Sequence, residues 1–379
     1  MRTLALFCKV VDNYGDIGIC WRLARQLHDE HAIAVTLWVD DLASFKRLCP
    51  QVDLAAPEQH IAGVTVVHWQ SQDGAFAVSE VADIVIEFFG CELPPAYVEA
   101  MARREPRPVW INFDGLSAEA WVEGCHTLPS PHPRLPITKY FFYPGYTSAT
   151  GGLLHEAGLT DARRAFQADA AQRAAWLETL GVTPAERDAL LVSLFCYPHA
   201  PAPALFKAWE QGAAPVACLV PEGVASGAVS AWLGRPASAG ASGRRGHLHL
   251  RVVPFLPQPD YDKLLWSCDL NFVRGEDSWV RGQWAGRPLV WHIYPQDEQL
   301  HHKKLRAFLD RYDVAADSLR SFMLHWNGAA GEGADWAQCW QALAADLAGM
   351  TSACDDWETR MLTHGDLASN LLKFVANQR

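Results

Sequence analysis

Over the first third of the chain, short apolar runs alternate with stretches whose apolar positions recur every three to four residues. The pattern predicts strands at Leu4–Val10, Ala34–Val39, Val64–His68, Asp83–Phe88 and Val109–Asn112. Between them it predicts helices at Gly18–His28, Ala43–Leu48 and Pro95–Arg103. Strands alternating with helices are β-α-β units, which build a parallel sheet covered by helices on both faces. The proline-rich residues 128–152 interrupt this rhythm and predict an ordered surface excursion. A helix at Asp161–Leu180 and a loop at Gly181–Arg187 predict a domain boundary. The rhythm then restarts, with strands at Ala189–Phe195, Val216–Val220, His249–Pro254, Leu270–Val273 and Leu289–Ile293. Helices are predicted at Pro203–Glu210, Tyr261–Ser267 and Ser278–Ala285, and the Gly/Ala/Ser-rich residues 223–247 predict a connection mobile at its end. Two long amphipathic helices, Asp335–Leu347 and Asp355–Phe374, close the chain. The expected domains are therefore residues 1–182 and 183–355, with the segment 356–379 packing back onto the first.

Composition narrows the class. At 379 residues, half of them hydrophobic, the chain is long enough for two domains with substantial cores. No apolar run approaches the ~18 residues that span a bilayer. Leu4–Val11 reads as a first buried strand and not as a leader, so a cytoplasmic protein without a membrane partner is expected. The net charge of −11 argues against a sequence-independent nucleic-acid binder. The 10 cysteines include no CxxC pair, so they are expected to be buried thiols and not metal ligands.

Two segments carry candidate chemistry. DNYGDIGICWRLARQL follows the first strand and packs Asp12, Asn13, Gly15, Asp16 and Gly18 into seven residues. Ligands of open α/β sheets bind at the carboxyl end of strand 1, where two carboxylates four residues apart can both face the crevice. The alternative is that Asp16 caps the helix while Asp12 satisfies the turn. NFVRGEDSWVRGQWAGRPLVWHIYPQ, residues 271–296, places Arg274, Gly275, Glu276, Asp277 and Ser278 between a strand and a helix. Backbone N–H groups at a helix start, with the helix dipole, favour an anion, which suits a nucleotide-sugar. Capping by Asp277 or Ser278 is the alternative. Phe195 and Tyr197 in VSLFCYP, and Phe255, Gln258 and Asp260 in VVPFLPQPDYDKLL, also stand at strand ends, where an aromatic and an amide can hold a planar base.

These two segments resemble the bacterial protein-arginine rhamnosyltransferases that modify translation elongation factor P. VIEFFGCELP (85–94), LPSPHP (128–133), KYFFYPGYTSATGGLL (139–154), VSLFCYP and VVPFLPQPDYDKLLW resemble the same family, so the similarity runs over nearly the whole chain. It implies an α/β protein of the GT-B glycosyltransferase fold, two Rossmann-like domains facing across a cleft. It further implies a dTDP-β-L-rhamnose donor in the second domain and elongation factor P as acceptor on the first. The product is an arginine rhamnosylated with inversion, which activates the factor for translation of polyproline stretches. No cofactor or metal is implied. By position, Asp16 matches the catalytic base, Asp12 its partner carboxylate and Glu276 an essential acid. Asp277 and Ser278 match diphosphate contacts, Phe255 the aromatic on thymine, and Tyr197 and Gln258 ribose or diphosphate contacts. Phe195, Arg274 and Tyr294 fall near the nucleotide, and Asn13, Tyr14 and Gly15 are counted with the donor site.

The chemistry is demanding. A guanidinium stays protonated at physiological pH, and an ordinary carboxylate, with a pKa of about 4, cannot deprotonate it in the ground state. Two routes remain: asymmetric binding by Asp12 and Asp16 that leaves one nitrogen more nucleophilic, or late proton transfer to Asp16 as the C–N bond forms. Competing readings are a nucleotide-sugar-binding protein without catalysis, an epimerase, and a glycosyltransferase with another acceptor. A pure diphosphate binder has no use for the Asp12/Asp16 pair.

Overall fold

The computed structural model describes residues 2–12, 14–70, 76–331 and 335–378. It divides into two compact units, Met1–Ala157 with Met361–Arg379, and Gly158–Arg360. The first contains β1 (Thr3–Cys8), β2 (Ala34–Val39), β3 (Glu58–Ile61), β4 (Val64–His68), β5 (Ile84–Phe88), β6 (Val109–Phe113), β7 (Pro129–Pro131) and β8 (Thr138–Phe142). They form one sheet in the order β3-β4-β2-β1-β5-β6-β8-β7. The six inner strands are parallel, and β3 and β7 are antiparallel edges. Counting only the parallel strands, the order is the doubly wound 3-2-1-4-5-6, which reverses direction between β1 and β5. β5 and β6 are buried throughout, as expected for strands covered on both faces.

The second unit repeats the plan with β9 (Leu190–Leu194), β10 (Val216–Pro221), β11 (Ser242–Arg245), β12 (Leu248–Val253), β13 (Leu270–Arg274) and β14 (Leu289–His292). Their order is β11-β12-β10-β9-β13-β14, with β11 antiparallel and the remainder parallel. The reversal here falls between β9 and β13. In both units, therefore, the segments singled out for their chemistry follow the strands at the reversal point.

Four sequence expectations are corrected. Residues 128–152 are not a surface excursion throughout, because Thr138–Phe142 is a sheet strand paired with β6. Prolines lack the donor that a central strand needs, so Pro129 and Pro131 sit in the three-residue edge β7, while Pro133, Pro136 and Pro144 fall outside the strands. The end of residues 223–247 is not a mobile tail of the connection, since after the helix Ser226–Leu233 it forms the edge strand β11, Ser242–Arg245. Gly246 serves the tight turn after β11: its φ is +52°, and a Cβ there would stand 2.2 Å from the Glu210 carbonyl oxygen. The predicted helix over 161–180 is two helices, Leu159–Ala168 and Ala170–Thr179, and the Asp169 carboxylate caps the second through Gln172 N–H. Both lie in the second unit, so the chain changes units after Ala157 and before the loop at which the sequence placed the boundary. Finally, Trp336–Leu362 is a single helix of 27 residues. Its buried Leu343, Leu347, Met350, Cys354, Trp357 and Met361 recur every three or four positions. That stripe outweighs the ~1 kcal/mol propensity cost of Gly349.

The last helix, Leu367–Ala376, belongs to the first unit. Leu367 N–H donates to Leu153 O at 3.0 Å, and the Phe374 ring packs edge-on to Tyr140, centroids 5.4 Å apart. No helix among the described residues is long and apolar enough to cross a membrane.

Candidate active site

In the first unit, Tyr14 occupies the N-cap of the helix Gly15–His31 without a side-chain capping bond, and Asp16 is the second helical residue. Asp16 is therefore not the cap. Its carboxylate turns back toward the strand: Oδ2 accepts the N–H groups of Val11 at 2.7 Å and Asp12 at 2.9 Å. Among the described residues Oδ1 receives no hydrogen bond, although the side chain is only 3% exposed. Burial raises the Asp16 pKa above that of an ordinary aspartate. The two N–H bonds oppose that shift, and the charges of Asp12 and Asp40 reinforce it. The turn itself is closed by Gly15 N–H donating to Asp12 O at 2.7 Å. Asp12, Tyr14 and Gly15 are half-buried around it, and Asn13 lies outside the described residues. Asp40, which the sequence reading did not single out, stands at the end of the adjacent β2 and accepts Val10 N–H at 2.9 Å. Its position just beyond a parallel strand was the available signal.

In the second unit the predicted residues converge on the carboxyl ends of β9 and β13. The Arg274 guanidinium lies 4.7 Å from the centroids of both the Phe195 and Tyr197 rings. It also donates from Nη1 to Cys196 O at 3.4 Å. The cation thus lies over two aromatic faces, which attract it through their ring quadrupoles. Phe255 packs on Phe195 at 6.3 Å, and Tyr294 stands edge-on to Tyr197 at 5.7 Å. Gln258 Nε2 donates to Asp277 Oδ2 at 3.3 Å.

Neither Asp277 nor Ser278 caps the helix Asp277–Gln283, since Glu276 holds the cap position with no side-chain capping bond. The Ser278 hydroxyl accepts Arg274 N–H at 2.8 Å and donates to Arg274 O at 2.5 Å. It is thus committed to the strand-to-helix turn, and what it offers a ligand is its backbone N–H. The turn is fixed from behind by Trp291, whose Nε1 donates to Gly275 O at 2.9 Å and whose ring stacks on Trp279 at 3.6 Å. Sequence reasoning also missed His292. Its Nδ1 accepts Tyr197 N–H at 3.2 Å, and burial first, then His199 and Arg274, lower its pKa to about 3. It is therefore neutral, with its proton on Nε2.

Two doubly wound units, each with a polar cluster at its reversal point, are the layout of the GT-B fold. A solved glycosyltransferase from Rickettsia africae shares the fold at 8% identity, with TM-score 0.51, covering 99% of this chain and 98% of that one. The family model for the elongation factor P (EF-P) rhamnosyltransferase EarP matches residues 4–376, and the chain belongs to that family. It is 46% identical over 381 residues to the protein-arginine rhamnosyltransferase of Pseudomonas putida, covering 99% of each. It is 34% identical to that of Neisseria meningitidis serogroup B, covering 99% of this chain and 97% of the relative. A solved structure described as the structural basis for EarP-mediated arginine glycosylation of translation elongation factor EF-P matches at 35% identity. Its TM-score is 0.67, and each chain is covered completely.

Proposed function

We propose that the chain transfers L-rhamnose from dTDP-β-L-rhamnose to a guanidinium nitrogen of an arginine in elongation factor P, inverting the anomeric carbon, in the cytoplasm. The observation that carries the reading is the buried Asp16 carboxylate, with one oxygen anchored to the backbone and the other without a bond among the described residues. An anchored carboxylate with a raised pKa is a better proton acceptor than an ordinary aspartate, and its geometry is set before the substrate arrives.

In the reaction the bond from C1 to the diphosphate oxygen breaks, the C1–N bond forms and dTDP departs. The nitrogen acidifies as it bonds to carbon, and its proton passes to Asp16 late in the step. Asp12 holds the remainder of the guanidinium. Charge on the leaving diphosphate is met by Arg274 and by the backbone N–H groups of Glu276, Asp277 and Ser278, without a metal. Thymine packs on Phe255, beside Phe195, and Tyr197, Tyr294 and Gln258 contact the ribose or diphosphate. Asp277, being anionic and paired with Gln258, is suited to accept from a hydroxyl and not to touch a phosphate. Glu276 takes the sugar side. The test is to incubate the protein with dTDP-β-L-rhamnose and elongation factor P and to weigh the acceptor. A gain of one deoxyhexose is expected, abolished when the acceptor arginine is changed to lysine; no gain refutes the reading.

A further inference from the structure

The helices Gln258–Ser267 and Asp277–Gln283 each begin with a residue of the donor cluster, Gln258 and Asp277. One helical turn further on, at the i+4 position of each, stand Asp262 and Arg281, neither of which the donor reading uses. Residues four apart share a helix face, so the two helices meet through two successive rungs. The upper rung is Gln258 Nε2 donating to Asp277 Oδ2 at 3.3 Å. The lower rung is a bidentate ion pair, with Arg281 Nε donating to Asp262 Oδ1 at 3.0 Å and Nη2 to Oδ2 at 2.8 Å. Asp262 is 5% exposed and Arg281 3%.

A fully buried ion pair is a poor source of stability, because removing both charges from water offsets most of their attraction. An apolar pair of similar volume holds two helices together as well or better. What a planar guanidinium on a carboxylate adds is direction: two parallel N–H···O bonds fix the rotation and the longitudinal register of one helix against the other. Here that register decides whether Gln258 and Asp277 reach each other. We propose that Asp262 and Arg281 are positioning residues that set the Gln258–Asp277 rung, and through it the donor-binding geometry. This rests on the donor-site reading above.

The experiment compares the wild type with the volume-matched double variant D262L/R281M and with R281K, which keeps the charge but not the fork. In the double variant, a melting temperature equal to or above that of the wild type is expected. Its dTDP affinity by calorimetry should weaken at least tenfold, and the KM for dTDP-rhamnose should rise to match, while the KM for the acceptor protein holds. R281K should fall between the two. A ligand-free readout accompanies these, in which amide exchange at Glu276–Trp279 accelerates in both variants. Wild-type dTDP affinity and wild-type exchange in a folded double variant overturn the proposal. Should the double variant not fold, R281K decides in the same way. If the wild type itself binds no dTDP, the donor reading fails, and the exchange measurement alone decides the positioning claim.

Discussion

Asp16→Asn separates the two jobs that the Asp16 carboxylate can do. As an anchor, Oδ2 accepts two backbone N–H groups, from Val11 and Asp12. An asparagine carbonyl oxygen can accept the same two bonds, losing only the charge assistance, about 1 kcal/mol each. Against that loss, asparagine removes the cost of burying a charge, the first cause of the raised pKa. The two effects oppose each other, so at pH 7 the variant should melt within a few degrees of the wild type. The sign of the linkage is fixed. A carboxyl whose folded pKa is raised favours the fold below its unfolded pKa and loses that contribution as pH rises through the folded value. The melting temperature of the variant relative to the wild type should therefore climb as the pH goes from about 4 to 7.

As a base, the carboxylate has no substitute in asparagine. Loss of a general base costs about 10²–10⁴ in rate, or about 3–5 kcal/mol of transition-state stabilisation. Asp16→Ala, by contrast, strips the acceptor from both N–H groups and should cost about 2 kcal/mol of stability in addition. The assays are thermal melts across pH and mass-resolved transfer to elongation factor P. Near-normal turnover by Asp16→Asn would refute the base assignment. A melting temperature lowered as far as that of Asp16→Ala would show that the charge is there for the fold.

Three further outcomes follow from particular contacts. Phe255→Ala should weaken dTDP binding about tenfold in calorimetry with little loss of stability, because the ring packs on Phe195 at the ligand end of the sheet; unchanged affinity would remove it from the pocket. Ser278→Ala should lower both donor affinity and the melting temperature, the latter by the equivalent of about 1–3 kcal/mol, since Arg274 N–H loses its acceptor. A drop in affinity alone would instead mean that the hydroxyl itself touches the ligand. Gly286→Ala should destabilise the second unit by more than 1 kcal/mol in denaturant melts, because its φ is +63° and a Cβ would fall 1.8 Å from Arg163 Nη1. That clash would displace the Arg163 bond to the buried Glu358, which is 2.7 Å long.

Much of the fold was legible because several strands are almost wholly apolar runs, interrupted only by Glu87 in β5 and Asn112 in β6. Leu4–Cys8, Ile84–Phe88 and Val109–Phe113 announce themselves by composition, and burial on both faces is the reason. The failures are the polar or proline-bearing edges. Glu58–Ile61 and Ser242–Arg245 carry few apolar residues because an edge strand with one face toward solvent does not need them. Thr138–Phe142 was hidden by the prolines before it.

The site divides in the same way. The sequence by itself determined which residue types stand at the reversal points, since strand-end aromatics, carboxylates and glycines are local features with local periodicity around them. It also carried the family resemblance. Only the tertiary structure decided what each side chain does there. It excluded the cap alternative for Asp16 and anchored its carboxylate to the backbone, committed the Ser278 hydroxyl to its own turn and laid Arg274 over two rings. It also brought Asp262 to Arg281, 19 residues away along the chain. Those outcomes depend on which neighbour a side chain meets once separate strands and helices are packed, and no spacing along the chain specifies that.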